Sequence, residues 1–284
     1  MPKFNIREWV EADPDQTAFR QAVHTVLAAI SGTPFLQTSM IMKGGVLLAL
    51  GYSSSRYTQD IDFSTAVRLP EFDKERFKSR LDEGLLFAVE SLDYGLDCRI
   101  QGIEQRPARE EASFPTIQTR IGYAYKSKQT EHRRLLAGMA PKVVKLDYSL
   151  NEPVGHVELY ELEDGNEIRT YGLIELIAEK YRALLQQEVR DRMRGQDVYD
   201  LYYLFTLHPD LVADEETKQK ILKRLVEKSG IRNLLVSAES LANADIKRRT
   251  KEDYQNRYSE IEEGLPPFET LYERVEEYYR SLPW

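Results

Sequence analysis

The chain has 284 residues, of which 47 are acidic and 39 are Lys or Arg, so its formal net charge is -8 at pH 7. Hydrophobic residues make up 42% and charged residues 30%, a balance typical of globular proteins that excludes a disordered or collagen-like chain. The acidic excess also excludes a general nucleic-acid coat protein, so a nucleic acid would need a locally basic surface.

Cysteine content and apolar runs exclude further classes. Cys98 is the single cysteine, so neither an intrachain disulfide nor a thiolate zinc site is expected. The N-terminal residues lack the basic start and apolar core of a secretory signal. No apolar run approaches the roughly 20 residues of a membrane-spanning helix. We therefore expect a cytoplasmic protein with no membrane partner.

In the first half of the chain, apolar spacing predicts alternating helices and strands. Helices are predicted at about 16–30 and 70–92, and between them lie a short apolar run at 40–42, a helical turn from Gly44-Gly45 to Leu50, and a strand at 60–63. Alternation with period two then predicts strands near 98–103, 117–123 and 143–148. Asp164-Gly165 predicts a hairpin between 157–162 and 168–171.

From residue 173 onward the apolar spacing is helical. Helices are predicted at 174–187, 196–207, 215–228 and 268–282. The change of period near Gly172 predicts a mixed α+β domain over 1–171, followed by an α-helical domain over 172–284. No Pro-, Gly- or Ser-rich linker separates them, so the helical part is expected to pack against the sheet.

The segment from Lys43 to Asp62 has the residues that phosphate chemistry needs. Asp60 and Asp62 are one residue apart on a predicted strand, so both carboxylates point to one face and can reach one hard cation. The Gly44-Gly45 pair enters a helix, where backbone N–H groups can approach an anion without obstruction. A divalent metal together with a bound phosphate is the arrangement of phosphoryl and nucleotidyl transfer. The alternative is a pair of solvated carboxylates at a strand edge.

These residues resemble a known signature. Gly-Gly followed by Asp-x-Asp resembles the polymerase-beta-type nucleotidyltransferase superfamily, and Lys43 with Arg-x-Thr-x-Asp-x-Asp-Phe at 56–63 resembles the AbiEii/AbiGii family of nucleotidyltransferase toxins. A second block agrees with that family: Glu-Lys-x-Arg-Ala at 179–183, then Arg190 and Arg-x-x-Asp-x-Tyr-Asp-Leu at 194–201. The resemblance spans at least residues 40–205.

The resemblance implies a polymerase-beta-like mixed sheet with flanking helices, and it implies roles for single residues. Asp60 and Asp62 would bind Mg²⁺ or Mn²⁺, and Asp147 would be a third metal ligand or the base that deprotonates the acceptor. Lys180 would hold the phosphates of the NTP substrate, and Asp197 would be a late acidic residue of the same cleft, between sheet and helices. An ordinary helix N-cap is the alternative for Asp197. The remaining nucleotide-binding candidates are Lys43, Gly44, Gly45, Arg56, Thr58 and Arg182.

One position departs from the pattern, because relatives usually carry a small hydroxyl residue after the glycines and this chain has Val46. The loss of one hydrogen bond to a charged phosphate is worth about 1 to 3 kcal/mol, so weaker activity is expected, but not inactivity.

The family also implies an RNA acceptor, with the 3′ end of tRNA as the favoured choice, and a cognate antitoxin protein as partner. The segment 120–145 has seven basic residues and one acidic residue, a balance of +6. Its candidates for RNA contact are Lys126, Lys128, Arg133 and Arg134, with Tyr123 and Tyr125 for base stacking. A solvated loop is the alternative for this segment. Transfer to a protein or small molecule, and a non-catalytic nucleotide-binding module, are the alternative functions.

Overall fold

The computed structural model describes residues 1–109, 111–256 and 266–284, and the chain divides into two compact units. The first unit consists of Met1–Gly51 and Thr58–Tyr171, and the second of Tyr52–Tyr57 and Gly172–Trp284. None of the helices among the described residues combines the length and apolar character that a bilayer-spanning segment needs.

The first unit is built on a mixed sheet of seven strands among its described residues. The strands are β1 (Ile41–Lys43), β2 (Asp60–Ser64), β3 (Leu96–Arg106), β4 (Thr116–Tyr125), β5 (Val143–Ser149), β6 (Val157–Glu161) and β7 (Glu167–Tyr171). Their order across the sheet is β3-β4-β5-β2-β1-β7-β6. The pairs β2–β5 and β1–β7 are parallel, and the other neighbours are antiparallel. An α+β fold results, as the sequence predicts.

Six helices accompany these strands in the described residues: α1 (Ile6–Glu11), α2 (Thr17–Ser31), α3 (Pro34–Ser39), α4 (Gly44–Tyr52), α5 (Lys74–Ser91) and α6 (Gln129–Leu136). The predicted helix at 70–92 is a short 3₁₀ turn, Leu69–Glu71, followed by α5, whose N-cap Asp73 accepts a hydrogen bond from the backbone N–H of Arg76. This cap sets the start of α5 four residues later than the apolar spacing suggests.

The two faces of the sheet differ in polarity. Ile61 and Phe63 of β2 and Leu146 and Tyr148 of β5 are buried on one face. Helix α5 packs on this face, where the Phe77 ring stacks on that of Tyr148 with centroids 5.6 Å apart. Because side chains alternate along a strand, the intervening residues of β2 and β5 lie on the opposite, polar face. Helix α5 thus covers the apolar face, and the charged residues of β2 and β5 lie on the other.

Helix α6 lies over the polar face at the β3–β4 end of the sheet. Gly122 of β4 shows this, because a Cβ atom there would lie 2.5 Å from the Cβ of Ala140, just beyond the helix. Gln101 of β3 fixes the segment, since its amide accepts a hydrogen bond from the N–H of Ala140 and donates one to the carbonyl of Leu135. Much of the basic segment is therefore held in α6 and two strands, whereas Lys126 and Lys128 lie in the exposed turn before α6.

The second unit is helical. Its described helices beyond Gly172 are α7 (Leu173–Leu185), α8 (Gln187–Arg190), α9 (Gly195–Leu207), α10 (Pro209–Ala213), α11 (Glu215–Gly230), α12 (Ala244–Gln255) and α13 (Phe268–Arg280). Tyr181 of α7 is fully buried, and its hydroxyl donates to the carbonyl of Val275 in α13, 2.8 Å away. Helix α12 was not predicted, because its inward side includes the polar Thr250 and Asp253 and its apolar stripe is short.

Gly195→Ala tests how closely α9 packs on α12. A Cβ at Gly195 would lie 2.3 Å from the backbone nitrogen of Tyr254, so one of the two helices must shift. We expect the free energy of unfolding in urea to fall by about 1 to 3 kcal/mol, as overpacked cores do. Gly230→Ala is the control, because a Cβ at Gly230 meets no atom within 4 Å. Equal stabilities of the two variants would contradict this packing.

Candidate active site

The carboxylates predicted to bind metal lie on the polar face of the first unit. In the register of the sheet Asp62 pairs with Asp147 of β5, and Asp60 pairs with Lys145. Paired residues on neighbouring strands point to the same face, so the three aspartates share it. The Lys145 ammonium lies 3.7 Å from Oδ1 of Asp60, and the Gln118 amide donates to Oδ1 of Asp147 at 2.9 Å.

The environment of Asp60 disfavours an uncompensated negative charge. Burial is the main cause, and it raises the pKa of Asp60 above its ordinary value; Lys145 opposes this and Asp147 adds to it. Oδ1 of Asp60 is buried and accepts no hydrogen bond from any residue that the structure describes. At 3.7 Å the Lys145 ammonium is beyond hydrogen-bond distance of this oxygen, so it partly compensates the charge without satisfying the buried oxygen.

These observations fit a hard cation at Asp60 and Asp62, because carboxylate oxygens are the ligands that such a cation prefers. In addition, Oδ1 of Asp60 accepts no hydrogen bond from a described residue. Within residues 1–109, 111–256 and 266–284, however, no three His, Cys, Asp or Glu side chains are grouped closely enough to hold a metal ion. The sheet register aligns Asp147 with Asp62, but the three carboxylates are not gathered around one point.

Gly44 lies directly against Asp62. Its φ is +74°, in the left-handed region, and a Cβ there would lie 2.1 Å from Oδ2 of Asp62. Glycine is thus required for two reasons, the backbone conformation and the room beside the carboxylate. The sequence predicted room for a phosphate at this position, and the structure shows that the same lack of a side chain also makes room for Asp62. Val46, the departure from the family pattern, is fully buried in α4.

Lys43 takes part in a buried polar network. Its ammonium lies 2.5 Å from Oε2 of Glu152 and 3.4 Å from the hydroxyl of Ser149. The same Glu152 oxygen accepts from the Ser64 hydroxyl at 2.7 Å, which in turn accepts from the Tyr171 hydroxyl at 3.1 Å. The network joins β1, β2 and β7 to the loop after β5. Lys43 was predicted to bind nucleotide, and this structure pairs it with a carboxylate.

The second unit contains a cluster of four buried charges, which we call the lysine cluster: Lys180, Asp197, Asp200 and Arg56. The Lys180 ammonium lies 2.5 Å from Oδ2 of Asp200 and 3.2 Å from Oδ1 of Asp197. The Arg56 guanidinium donates to both carboxylate oxygens of Asp200, at 2.9 and 3.3 Å. The structure therefore brings Lys180, Asp197 and Arg56 together and adds Asp200.

Pairing within the lysine cluster favours the charged forms of Lys180 and Asp200. Burial lowers the pKa of Lys180, but Asp200 and Asp197 more than offset this, so the pKa of Lys180 lies above its ordinary value. Burial raises the pKa of Asp200, but Arg56 and Lys180 more than offset it, so the pKa of Asp200 lies below its ordinary value. Buried ions tolerate desolvation only when they are paired in this way.

Two further nucleotide-binding candidates make local contacts. The Arg182 guanidinium pairs with Glu179 one turn earlier, at 2.5 Å, and also donates to the side chain of Gln186. The Thr58 hydroxyl lies 3.4 Å from the carbonyl oxygen of Asp60. In this structure Arg182 is held by neighbours in its own helix.

The candidates for RNA contact differ in exposure and pairing. Arg133 and Arg134 are exposed on α6, and neither makes an ion pair with another described residue. Lys126 pairs with Glu90 at 2.8 Å, and Lys128 lies 3.8 Å from Glu131. Tyr123 is buried, with 7% of its surface exposed, so its prediction as a stacking residue is wrong: alternation along β4 turns the ring into the core.

Sequence reasoning missed three polar residues of these sites. Asp200 had a signal, because it lies three residues after Asp197 on a helix, where side chains share a face. Gln118 would have followed from the register between β4 and β5, which one strand alone does not reveal. Glu152 had no signal, since it lies in a loop without periodicity.

Gly44→Ala tests the contact with Asp62. The matched control is Gly138→Ala, because Gly138 also has a positive φ, of 75°, but a Cβ there meets no atom within 4 Å. Both variants lose about 1 to 2 kcal/mol from the left-handed backbone. We expect Gly44→Ala to lose about 1 to 3 kcal/mol more in urea unfolding, because Asp62 must move. Equal losses would show that Asp62 does not confine this position.

Asp200→Asn tests the lysine cluster. Removing one partner from buried ions costs about 3 to 5 kcal/mol, because Lys180 and Arg56 keep their charges. Since the pKa of Asp200 is lowered by folding, its contribution is present above its ordinary pKa and is lost as the pH falls through the lowered one. The difference in unfolding free energy from the wild type should thus be largest near neutral pH and shrink in acid.

Asp210→Asn is the control for this substitution, because Asp210 is exposed on α10. Its effect should stay within about 0.5 kcal/mol. A difference for Asp200→Asn that does not change with pH would contradict the electrostatic explanation.

Comparisons with known proteins identify the family of the chain. A family model described as "Nucleotidyl transferase AbiEii toxin, Type IV TA system" matches residues 25–279. A search of curated proteins gave no match. Among solved structures, one from H. pylori that is assigned as a nucleotidyltransferase is similar at 16% identity, with 94% of this chain and 95% of that chain covered and a TM-score of 0.49.

MenT4, a nucleotidyltransferase toxin from Mycobacterium tuberculosis, is similar at 14% identity, with 98% of this chain and 97% of that chain covered and a TM-score of 0.46. The family match covers most of the chain, including Asp60, Asp62, Asp147 and the four residues of the lysine cluster. The chain belongs to the AbiEii family of nucleotidyltransferase toxins of type IV toxin–antitoxin systems.

Proposed function

We propose that this chain transfers a nucleoside monophosphate from an NTP to a hydroxyl at the 3′ end of tRNA and releases pyrophosphate, which inhibits translation and growth. The observation that carries the proposal is the alignment of Asp60, Asp62 and Asp147 on the polar face, with Gly44 against Asp62. Membership of the toxin family supports an antitoxin protein as partner.

The reaction assigns a role to each carboxylate. Asp60 and Asp62 would hold Mg²⁺, or Mn²⁺ in its place, with Asp147 as third ligand or as the base that takes the proton of the acceptor hydroxyl. When bound, the metal supplies charge neutralisation at the phosphate oxygens. Gln118 supports the assignment of Asp147, because its hydrogen bond to Oδ1 holds the carboxylate in one orientation.

Lys180 would bind the phosphate groups of the NTP. Lys180 has three N–H donors, and its contacts with Asp200 and Asp197 account for two of them, so the third supports a phosphate contact. Gly45 follows Gly44 in the sequence and Thr58 lies two residues before Asp60, so both are assigned to the nucleotide with them. Lys43 and Arg56 have buried carboxylate partners, so we assign them to positioning Gly44 and Lys180, respectively.

The polar face also supports RNA as acceptor. Arg120 of β4 and Lys145 of β5 pair in the sheet register on the face that carries Asp147. Helix α6, with Arg133 and Arg134 exposed, lies over the same face. A basic surface of this kind attracts the phosphate backbone of RNA to a chain that is acidic as a whole.

Labelling the acceptor tests the proposal. The purified chain is incubated with Mg²⁺, total tRNA and each α-labelled NTP in turn. We expect label on RNA, and we expect Asp62→Asn to reduce it by about 10²-fold or more, because loss of a metal ligand removes several kcal/mol of transition-state stabilisation. Chelation of the metal by EDTA should abolish the label.

Asp93→Asn is the control, because Asp93 is an exposed residue of the first unit outside the site, and full labelling is expected. Label on protein instead of RNA would replace the acceptor in the proposal. No label with any acceptor would indicate a non-catalytic nucleotide-binding module and would overturn it.

A further inference from the structure

An exposed segment of the second unit has no role in the site described above. Residues 190–194 run from the last residue of α8 to the start of α9 and read Arg-Asp-Arg-Met-Arg; we call them the arginine loop. Arg190 and Arg192 are exposed, and Arg194 keeps 28% of its side-chain surface exposed. Three arginines within five residues form a locally basic surface on an acidic chain.

The negative charge within the loop is already compensated. Asp191, in the left-handed conformation with φ of 47°, pairs with Arg249 of α12 at 2.8 Å. Among the described residues Arg190 makes no ion pair, and Arg194 lies 3.8 Å from Asp197, too far for a hydrogen bond. The charges of Arg190 and Arg194 are therefore largely uncompensated by the loop itself.

Helix α12 holds the chain on both sides of the loop. At the start, the fully buried Gln187 donates to the Thr250 hydroxyl at 2.8 Å. At the end, the N–H of Gly195 donates to the buried Asp253 carboxylate at 2.7 Å, and the absence of a side chain lets Gly195 rest on the backbone of Tyr254. A short loop with both ends fixed presents its arginines in a limited range of positions, which lowers the entropic cost of binding.

Apolar side chains accompany the arginines. Val189 is 70% exposed and Met193 is 44% exposed, on either side of the first two arginines. Exposed apolar residues beside arginine characterise binding surfaces, where both Met and Arg are enriched. A nucleotide triphosphate is bound in a concave pocket. The arginine loop is instead an exposed segment in which every second residue is an arginine, and such a surface suits an extended polyanion.

We propose that the arginine loop binds the phosphodiester backbone of the RNA acceptor, through the guanidinium groups of Arg190, Arg192 and Arg194. Guanidinium groups form paired hydrogen bonds with phosphate oxygens, which a lysine cannot reproduce. The inference rests on the proposed function, since it names the part of the second unit that binds the same acceptor. In this proposal α12 fixes the position of the loop through its contacts with Gln187 and Gly195.

Binding of fluorescently labelled tRNA to the full chain, measured by anisotropy over a range of salt concentrations, tests the proposal. The variant Arg190→Gln with Arg192→Gln should weaken tRNA binding about tenfold at 0.1 M salt and reduce the slope of log affinity against log salt by about 1 to 2, one unit or less for each lost phosphate contact. Binding of labelled NTP, measured separately, should not change.

Two control variants sharpen the test. Arg274→Gln removes an exposed arginine of α13 in the same unit and should leave affinity and slope as in the wild type. Replacing Arg190 and Arg192 with lysine should keep the salt slope but recover only part of the affinity, because the charge is kept and the paired hydrogen bonds are lost. Circular dichroism and the urea unfolding midpoint check that each variant is folded, and Arg190→Gln alone should shift affinity in the same direction.

The remaining outcomes would overturn the inference. If the double glutamine variant binds tRNA with the affinity and slope of Arg274→Gln, the loop does not contact RNA. If NTP binding alone weakens, the loop serves the nucleotide. If the wild-type chain binds no tRNA at any salt concentration, the RNA acceptor of the proposed function fails as well, which distinguishes that result from the first.

Discussion

The two-residue period of β2 and β5 is the constraint on which the first unit depends. The constraint is the burial of four side chains: Ile61, Phe63, Leu146 and Tyr148. Helix α5 covers their face of the sheet, so the residues between them must point to the opposite face. Asp60, Asp62 and Asp147 thus share a face because the hydrophobic residues between them share the other. A shift of one residue in either strand would bury the carboxylates and expose the core, so the register is strongly specified.

The second unit solves a different problem, which is to keep charges inside a helical core. Lys180 and Arg56 supply two positive charges, and Asp197 and Asp200 supply two negative charges, so the lysine cluster is neutral as a group. Neutrality makes its burial tolerable, although apolar residues of similar volume would be as stable. A buried lysine that stays charged is useful where an anion must be bound, and this gives a reason for retaining the cluster.

The elements were predictable wherever apolar spacing was long and regular, as in α2, α5 and the strands of the sheet. Strand β3 shows the limit, since Ile100 and Ile103 are three residues apart yet pair with Ile121 and Thr119 on one face of β4. A β-bulge between Ile100 and Gly102 restores the phase, and a bulge depends on the neighbouring strand. Asp60 and Asp62 were predicted from spacing alone, whereas the predictions of Asp147, Lys180 and Asp197 needed the family resemblance. Glu152 and Gln118 depend on tertiary contacts that no local pattern contains.

Residues 52–57 belong to the second unit, although the rest of α4 before them and β2 after them belong to the first. Arg56 secures this segment to Asp200, and the Tyr203 hydroxyl donates to the carbonyls of Tyr52 and Ser53. The chain therefore passes from one unit to the other three times, and the only direct connection between Gly44 and Asp62 along the sequence runs through residues that the helical unit holds. A chain ending at residue 171 would contain Gly44 and Asp62. It would, however, leave residues 52–57 between them without Asp200 and Tyr203, the residues to which they are hydrogen-bonded.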